Sequence, residues 1–505
     1  MSNATTTPDQ ERNLALQQES KFIGQPRAVG MLGGIEFCQY VANGMMTAMV
    51  LYYLYAKVSD GGLGFTQTQA SQLLSLYMGM VILCGLVGSY MADRVLGERK
   101  AVLVGRFLAT LGFTVLALPL GVWGYALSMV LLCVATMMHG KSVEGLIGKM
   151  YVKGDKRRDV GFNILYVLKN LNAFSAVIAG AIAMATGYWA AFAVGAVFSW
   201  IGFLAYYFTN KKFMNTIGNE PDDPIDPSKR NSFLGKFIAG IVVVVAIFGV
   251  LLATGVLTIA QFSNGLSIVQ IFLPIVYLVY IVMSKKTTRA EAHRVVGLVP
   301  LYVCACFAAW VWTQANTILQ VFAEQRTVLS IFGITLSPAS FMTWSGIMSI
   351  TWGTVTTLVW AKLGRRQPSA PAKIGFGTMM WGCGPLLMIL PFVLYSSDVK
   401  VSPLWIMGFH VLIMLGEALS IPSGYSSAAQ VAPAAFATQM MTVWSLAQST
   451  GAALNAMSAP FYHEGGEVPY FAFIGIVTVV LGLVVLLFSK KISAIMGLKK
   501  EGAEA

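Results

Sequence analysis

Apolar runs long enough to cross a bilayer, separated by short polar or Pro/Gly-rich breaks, recur along the whole chain. A spanning helix needs about 20 mostly apolar residues. The pattern predicts fourteen such helices, near 31–57, 68–92, 101–121, 123–150, 160–185, 187–209, 234–257, 264–284, 297–322, 339–361, 373–396, 402–427, 434–459 and 468–489. One break is much longer: TNKKFMNTIGNEPDDPIDPSKRNS, at 209–232, has the Pro, Asp and Lys content of a solvated linker. Six helices precede it, and two plus six follow. The expected organisation is a tail at 1–30, a six-helix bundle at 31–209, a linker at 210–233, an inserted two-helix hairpin at 234–284, a second six-helix bundle at 297–489 and a tail at 490–505. The fold class is all-α and polytopic. This division fits a two-bundle membrane architecture, in which a site near the midplane lies between the halves.

Composition makes the bilayer a requirement. With 56% hydrophobic and 11% charged residues and a mean hydropathy of +0.68, the chain carries more apolar surface than a water-soluble globule of 505 residues can bury. The net charge of +12 does not point to nucleic acid, because the basic residues form no soluble basic face with aromatic groups. They cluster instead in alternate short loops, at Arg94, Arg99 and Lys100, at Lys153 to Arg158, at Lys211 and Lys212, at Lys285 to Arg294, at Lys362 to Arg366, and at Lys490 and Lys491. The opposite loops hold only Lys57, Arg326 and Lys400. The positive-inside rule then places both termini in the cytoplasm of a multi-pass plasma (inner) membrane protein. The N-terminal segment lacks the apolar core of a cleavable signal, so the first helix is expected to direct insertion. Six cysteines lie inside apolar runs, and His139, His293, His410 and His463 show no paired ligand spacing. Neither a metal, a cofactor nor an enzymatic motif is expected.

Four stretches carry a more specific pattern. GSYMADRVLGERK, with Asp93, Arg94, Gly97, Arg99 and Lys100, resembles the cytoplasmic loop of the major facilitator superfamily, where such charges lock neighbouring helices. GKMYVKGDKRRDVGFNILYVLKNLNAF resembles the signature of the proton-dependent oligopeptide transporters, matching at Gly154, Asp155, Arg157, Arg158, Asp159, Gly161, Phe162, Tyr166 and Asn170. MLGEALSIPSGYSSAAQVAPAAFATQMMTVWSL, with Glu417, Pro422, Gly424, Pro433 and Trp444, and ILQVFAEQRTV followed by SPASFMTW are similar to later parts of the same family. The resemblance implies a major facilitator fold and proton-coupled uptake of small peptides or peptide-like solutes by a monomer. It also implies that Glu417 holds the substrate amine, with Asn170, Tyr166 and Trp444 in the pocket.

Charged groups inside the membrane cost at least about 2.5 kcal/mol each unless paired or hydrated. Here they are Glu36, Arg106, Lys141, Glu144, Lys169, His410 and Glu417. We take Glu36, Glu144 and Glu417 as proton-coupling candidates. Glu417, Asn170, Tyr166, Trp444, Gln314, Trp312, Ser345, Lys141 and Lys169 are the substrate-binding candidates, and Asp93, Arg94 and Arg99 form the conformational loop. Packing hydrogen bonds, or a local Lys141–Glu144 pair three residues apart, are the structural alternatives. The sequence also departs from the family. Gln39 and Tyr40 stand where it has a second Glu and an Arg, Met46 replaces a second Arg, and Thr313 and Ser345 replace a Glu and an Asn. Gly140 occupies the place of its fourth-helix Lys, with Lys141 turned about 100° away on a continuous helix. The carboxylate side of a peptide site is therefore altered. The competing expectation keeps the fold and moves a non-peptide metabolite, siderophore-like compound or drug.

Overall fold

The computed structural model describes residues 7–152, 155, 157–331 and 333–497. Gly154, Lys153 and Lys156 of the signature loop, and Lys499 and Lys500 of the tail, lie outside the described residues. The protein is all-α; among the described residues the one sheet is a two-rung hairpin pairing Ser330 with Thr335. Helices are the expected solution, because every backbone N–H and C=O must be satisfied within its own segment in lipid.

Eleven helical spans are long and apolar enough to cross a membrane among the described residues, from Gln67–Leu96 to Glu467–Leu487. Three further predicted helices exist but are more polar than these eleven: Arg27–Tyr55, Ser340–Leu363, and the pair Ala437–Ser445 and Ala447–Ser458. Their sequences explain it. The first carries Glu36, Gln39 and Asn43, the second is rich in Ser and Thr, and the third holds Gln439, Gln448 and Asn455.

Several predicted single helices are broken. The fourth stops at His139, turns at Gly140 with φ +46°, and resumes as Ser142–Lys149. A side chain at Gly140 would meet the backbone nitrogen of Ser89 at 2.6 Å, so the turn is also a backbone-to-backbone contact. The fifth runs Arg157–Asn170, passes through a 3₁₀ turn at Leu171–Phe174 and continues as Ser175–Thr186. The ninth begins earlier than its apolar run, at Arg289, because Thr288 and Glu291 form a reciprocal capping box.

The chain forms two compact units. One comprises the chain up to Gly64 with Leu83–Thr258; the other comprises Phe65–Ile82 with the chain from Ile259 onward. The first unit is centred on Leu32, Ile35, Val102, Leu146, Tyr151 and Tyr206. The second has two apolar clusters, one around Val311, Phe322, Phe409 and Phe471 and one around Leu298, Tyr302, Val443 and Trp444. The inserted hairpin, expected as a separate piece, is divided: Pro227–Ala253 falls in the first unit and Ile259–Met283 in the second. The first arm buries no residue, whereas the second buries Ser263, Ser267, Gln270 and Pro274.

The ends are less tail-like than expected. Pro8–Gln18 is a helix capped by Thr7 and Gln10, and the linker between Met214 and Pro227 is bonded to the first unit rather than solvated throughout.

Candidate functional site

In the first unit, the Glu98–Ala117 helix brings Arg106 against Glu36 of Arg27–Tyr55, and the guanidinium donates to the carboxylate with both residues 5% exposed. Each charge answers the other. Three residues beyond Glu36, Gln39 accepts from the Ser199 hydroxyl at 3.5 Å. Tyr40 lies beneath Lys169, whose ammonium is 5.3 Å from the ring centroid. Lys169 donates to Glu144 at 2.7 Å. A cation, Lys169, thus lies over position 40, where the family resemblance places an arginine.

The local Lys141–Glu144 pair is not formed. It presumes a continuous helix, and the turn at Gly140 leaves Lys141 as an exposed cap of the following helix while Glu144 reaches Lys169. The same turn voids the 100° argument for where Lys141 points. Asn170 donates to the Tyr166 carbonyl of its own helix at 2.9 Å, so one of its amide hydrogens is spent locally. Tyr166 itself is 62% exposed.

In the second unit, Glu417 on Leu404–Val431 is half-buried beside the Ser349 hydroxyl of Ser340–Leu363. It makes no ion pair among the described residues, unlike Glu36 and Glu144. Ser349 was not among the sequence candidates. The signal for it was present, in a helix with hydroxyl residues at 345, 349, 351, 354, 356 and 357. Ser345 is buried against the Met414 sulfur at 3.5 Å, and Gln314 is wholly buried with neither amide atom bonded among the described residues. Trp312 packs at the edge of an apolar cluster. Trp444 is 5% exposed and packs edge-on to Tyr302 and Tyr425, 6.2 and 6.5 Å away. It belongs to the apolar cluster around Leu298, Tyr302 and Val443. His410, two turns before Glu417, is 1% exposed with an imidazole unbonded among the described residues.

The two loop motifs have defined partners. Arg94 pairs with Asp223, Arg99 donates to the Asn215 carbonyl, and the backbone nitrogens of Asp223 and Ile225 donate to the carbonyls of Asp93 and Arg94 at 3.0 and 3.1 Å. The expected lock on neighbouring helices is therefore a grip on the linker. Asp93, Glu98 and Asp222 bring carboxylate oxygens within 4.8 Å of one another, but the Lys149 ammonium bonds Glu98 and Asp222 at 2.9 and 2.8 Å and supplies the cation there. In the signature loop, Asp155 accepts from Arg157, which holds its carboxyl below the usual range. Arg157 then donates to the carbonyls of Gln17 and Glu19, both at 3.0 Å. A side chain at Gly161 would strike the Tyr151 hydroxyl at 2.1 Å, and that hydroxyl donates to Gln25 at 2.7 Å. The motif ties the N-terminal segment to the membrane domain.

A family model described as "POT family" matches residues 99–485. A di-/tripeptide transporter of Lactococcus lactis subsp. cremoris is 34% identical over 487 residues, covering 95% of this chain and 98% of that one. A crystal structure of peptide transporter POT in complex with sulfate is 33% identical, with a TM-score of 0.92 over 97% of this chain and 100% of that one. A POT family transporter in complex with 5-aminolevulinic acid is 28% identical, with a TM-score of 0.89 over 95% of this chain and 100% of that one.

Proposed function

The chain belongs to the POT family, and on that premise we propose that it is a secondary active transporter that takes up di- and tripeptides or similar short solutes, coupled to protons by alternating access. The observation that carries this reading is Glu417, a membrane-embedded carboxylate beside a hydroxyl and with no counter-ion among the described residues. Such a group meets a substrate ammonium in its charged form and holds a proton in its neutral form.

Lys169, held between Glu144 and Tyr40, is the group for the anionic end of the solute. Binding there requires Glu144 to give up the ammonium, and protonation of Glu144 is what releases it. Glu36 is committed to Arg106 and serves coupling only if that pair exchanges partners. Gln314 and Asn170 remain for amide contacts, and Tyr166 and Trp312 for apolar ones; Ser345 and Lys141 are secondary. The working protein is a monomer in the plasma membrane with both termini cytoplasmic, in keeping with its loop charges.

A second reading is favoured by Tyr40 and Met46, which stand where the family has arginines. The cargo is then a shorter solute with an amine and a carboxylate but no peptide bond, the chemistry of the ligand in the 28% identical relative. Proteoliposome uptake decides. Accumulation of a dipeptide under an inward proton gradient supports the first reading, and uptake confined to small amino acids supports the second. Failure to move either, with or without the gradient, overturns both.

A further inference from the structure

The second arm of the inserted hairpin, Ile259–Met283, differs from the first in presenting a polar stripe, Ser263, Ser267 and Gln270, each 0% exposed. Gln270 lies against residues 76–79 of the Gln67–Met91 helix and against the Ala447–Ser458 helix, and these contacts fall within the second unit. The Gln270 amide donates to the Leu76 carbonyl at 3.3 Å, and the Thr450 hydroxyl donates to the Gln270 carbonyl at 3.3 Å. Opposite, Gln72 donates to the Ala456 carbonyl, Asn455 to the Ser75 hydroxyl, and Ser449 to the Gly79 carbonyl, at 3.4, 2.8 and 3.0 Å. As numbers rise along one helix they fall along the other, so these contacts form one antiparallel zipper over residues 72–79. A side chain at Gly79 would meet the Gln270 amide oxygen at 2.4 Å, and only glycine admits it without displacement.

Two properties set this seam apart from ordinary packing. Its bonds are few and of the weak interhelical kind. It also holds buried oxygens with no partner among the described residues, on Ser71, Ser263, Ser267, Gln270 and Asn455. An apolar seam opened to water loses its burial outright, whereas water replaces hydrogen bonds and satisfies spare oxygens. The gripped helix is also shared: residues to Ile82 cluster with the second unit and those from Leu83 with the first.

We propose that the inserted helix Ile259–Met283 is a clamp, holding residues 71–79 against Ala447–Ser458 through a seam that opens and wets in each transport cycle. The proposal rests on the transporter reading above.

The test uses purified full-length protein whose six native cysteines are replaced and which retains uptake. Cysteines at Ser75 and Asn455, joined by a short bifunctional thiosulfonate, should abolish uptake, and dithiothreitol should restore it. In parallel, a single cysteine at Ser71 should react with a water-soluble maleimide about threefold faster in Gln270→Leu than in its parent, the effect of one lost interhelical hydrogen bond. The reaction should also quicken during turnover. Gln270→Asn, which keeps an amide, controls for misfolding. Uptake that survives cross-linking, or labelling that ignores both Gln270→Leu and turnover, overturns the clamp. Absence of uptake by the unaltered protein would instead count against the transporter reading.

Discussion

Glu417 and the paired acids differ in what a neutral replacement removes. Glu417→Gln deletes a group without a counter-ion, so the fold should persist while accumulation driven by a pH gradient falls at least about tenfold, as measured by uptake against exchange in proteoliposomes. The ion pairs behave oppositely. Lys169→Met leaves Glu144 unpaired in the membrane and should cost about 2.5 kcal/mol of stability. The double variant with Glu144→Gln should recover much of it, a non-additivity visible in thermal unfolding in detergent. Arg94 and Asp223 form the contrasting case, since their side chains are 45% and 68% exposed. Breaking that pair should change stability by less than about 1 kcal/mol. Gly424 is a packing position: a methyl there would sit 2.2 Å from the Trp444 ring. Gly424→Ala should destabilise by about 1–3 kcal/mol, with part of the loss regained when Trp444→Phe is added.

At the scale of elements, the signature loop acts as a strap. Arg157→Ala should free the Gln17–Glu19 carbonyls, and hydrogen exchange across residues 17–25 should quicken in the variant. Asp155 titrates lower in the folded protein than in the unfolded chain, so its support for Arg157 is present above about pH 4 and is lost as pH falls through the folded value. The same exchange should therefore quicken in the unmodified protein below that range. Which helices exist was legible from apolar run length, whereas Glu417 stood out through the family resemblance of its helix. The breaks at Gly140 and at Leu171–Phe174 were not, since an apolar run has the same appearance whether its axis is straight or bent. Those bends decide that Glu144 meets Lys169. Lys169 and Tyr40 are 129 residues apart and carry no common pattern, so only tertiary packing could bring the cation to its new position.

For the molecule as a whole, polarity sorts the helices. Those that fall short of lipid-like composition, Arg27–Tyr55, Ser340–Leu363 and Ala437–Ser458, must turn their hydroxyl and amide groups toward protein or water. Cysteines along Ser340–Leu363 should show it: position 349 should react with a polar thiol reagent, while 350 and 358, whose native side chains are 49% and 65% exposed, should not, because hydrocarbon surrounds them. The two arms of the inserted hairpin stand at opposite ends of the same scale. Pro227–Ala253 fully buries no residue and packs mainly through Phe233, Leu234 and Phe237, so any apolar residue serves at most of its other positions, and among descendants of a common ancestor it should drift quickly. Ile259–Met283 has Ser263, Ser267 and Gln270 to keep and should drift slowly, so the two arms of one hairpin would record the same lineage at different rates.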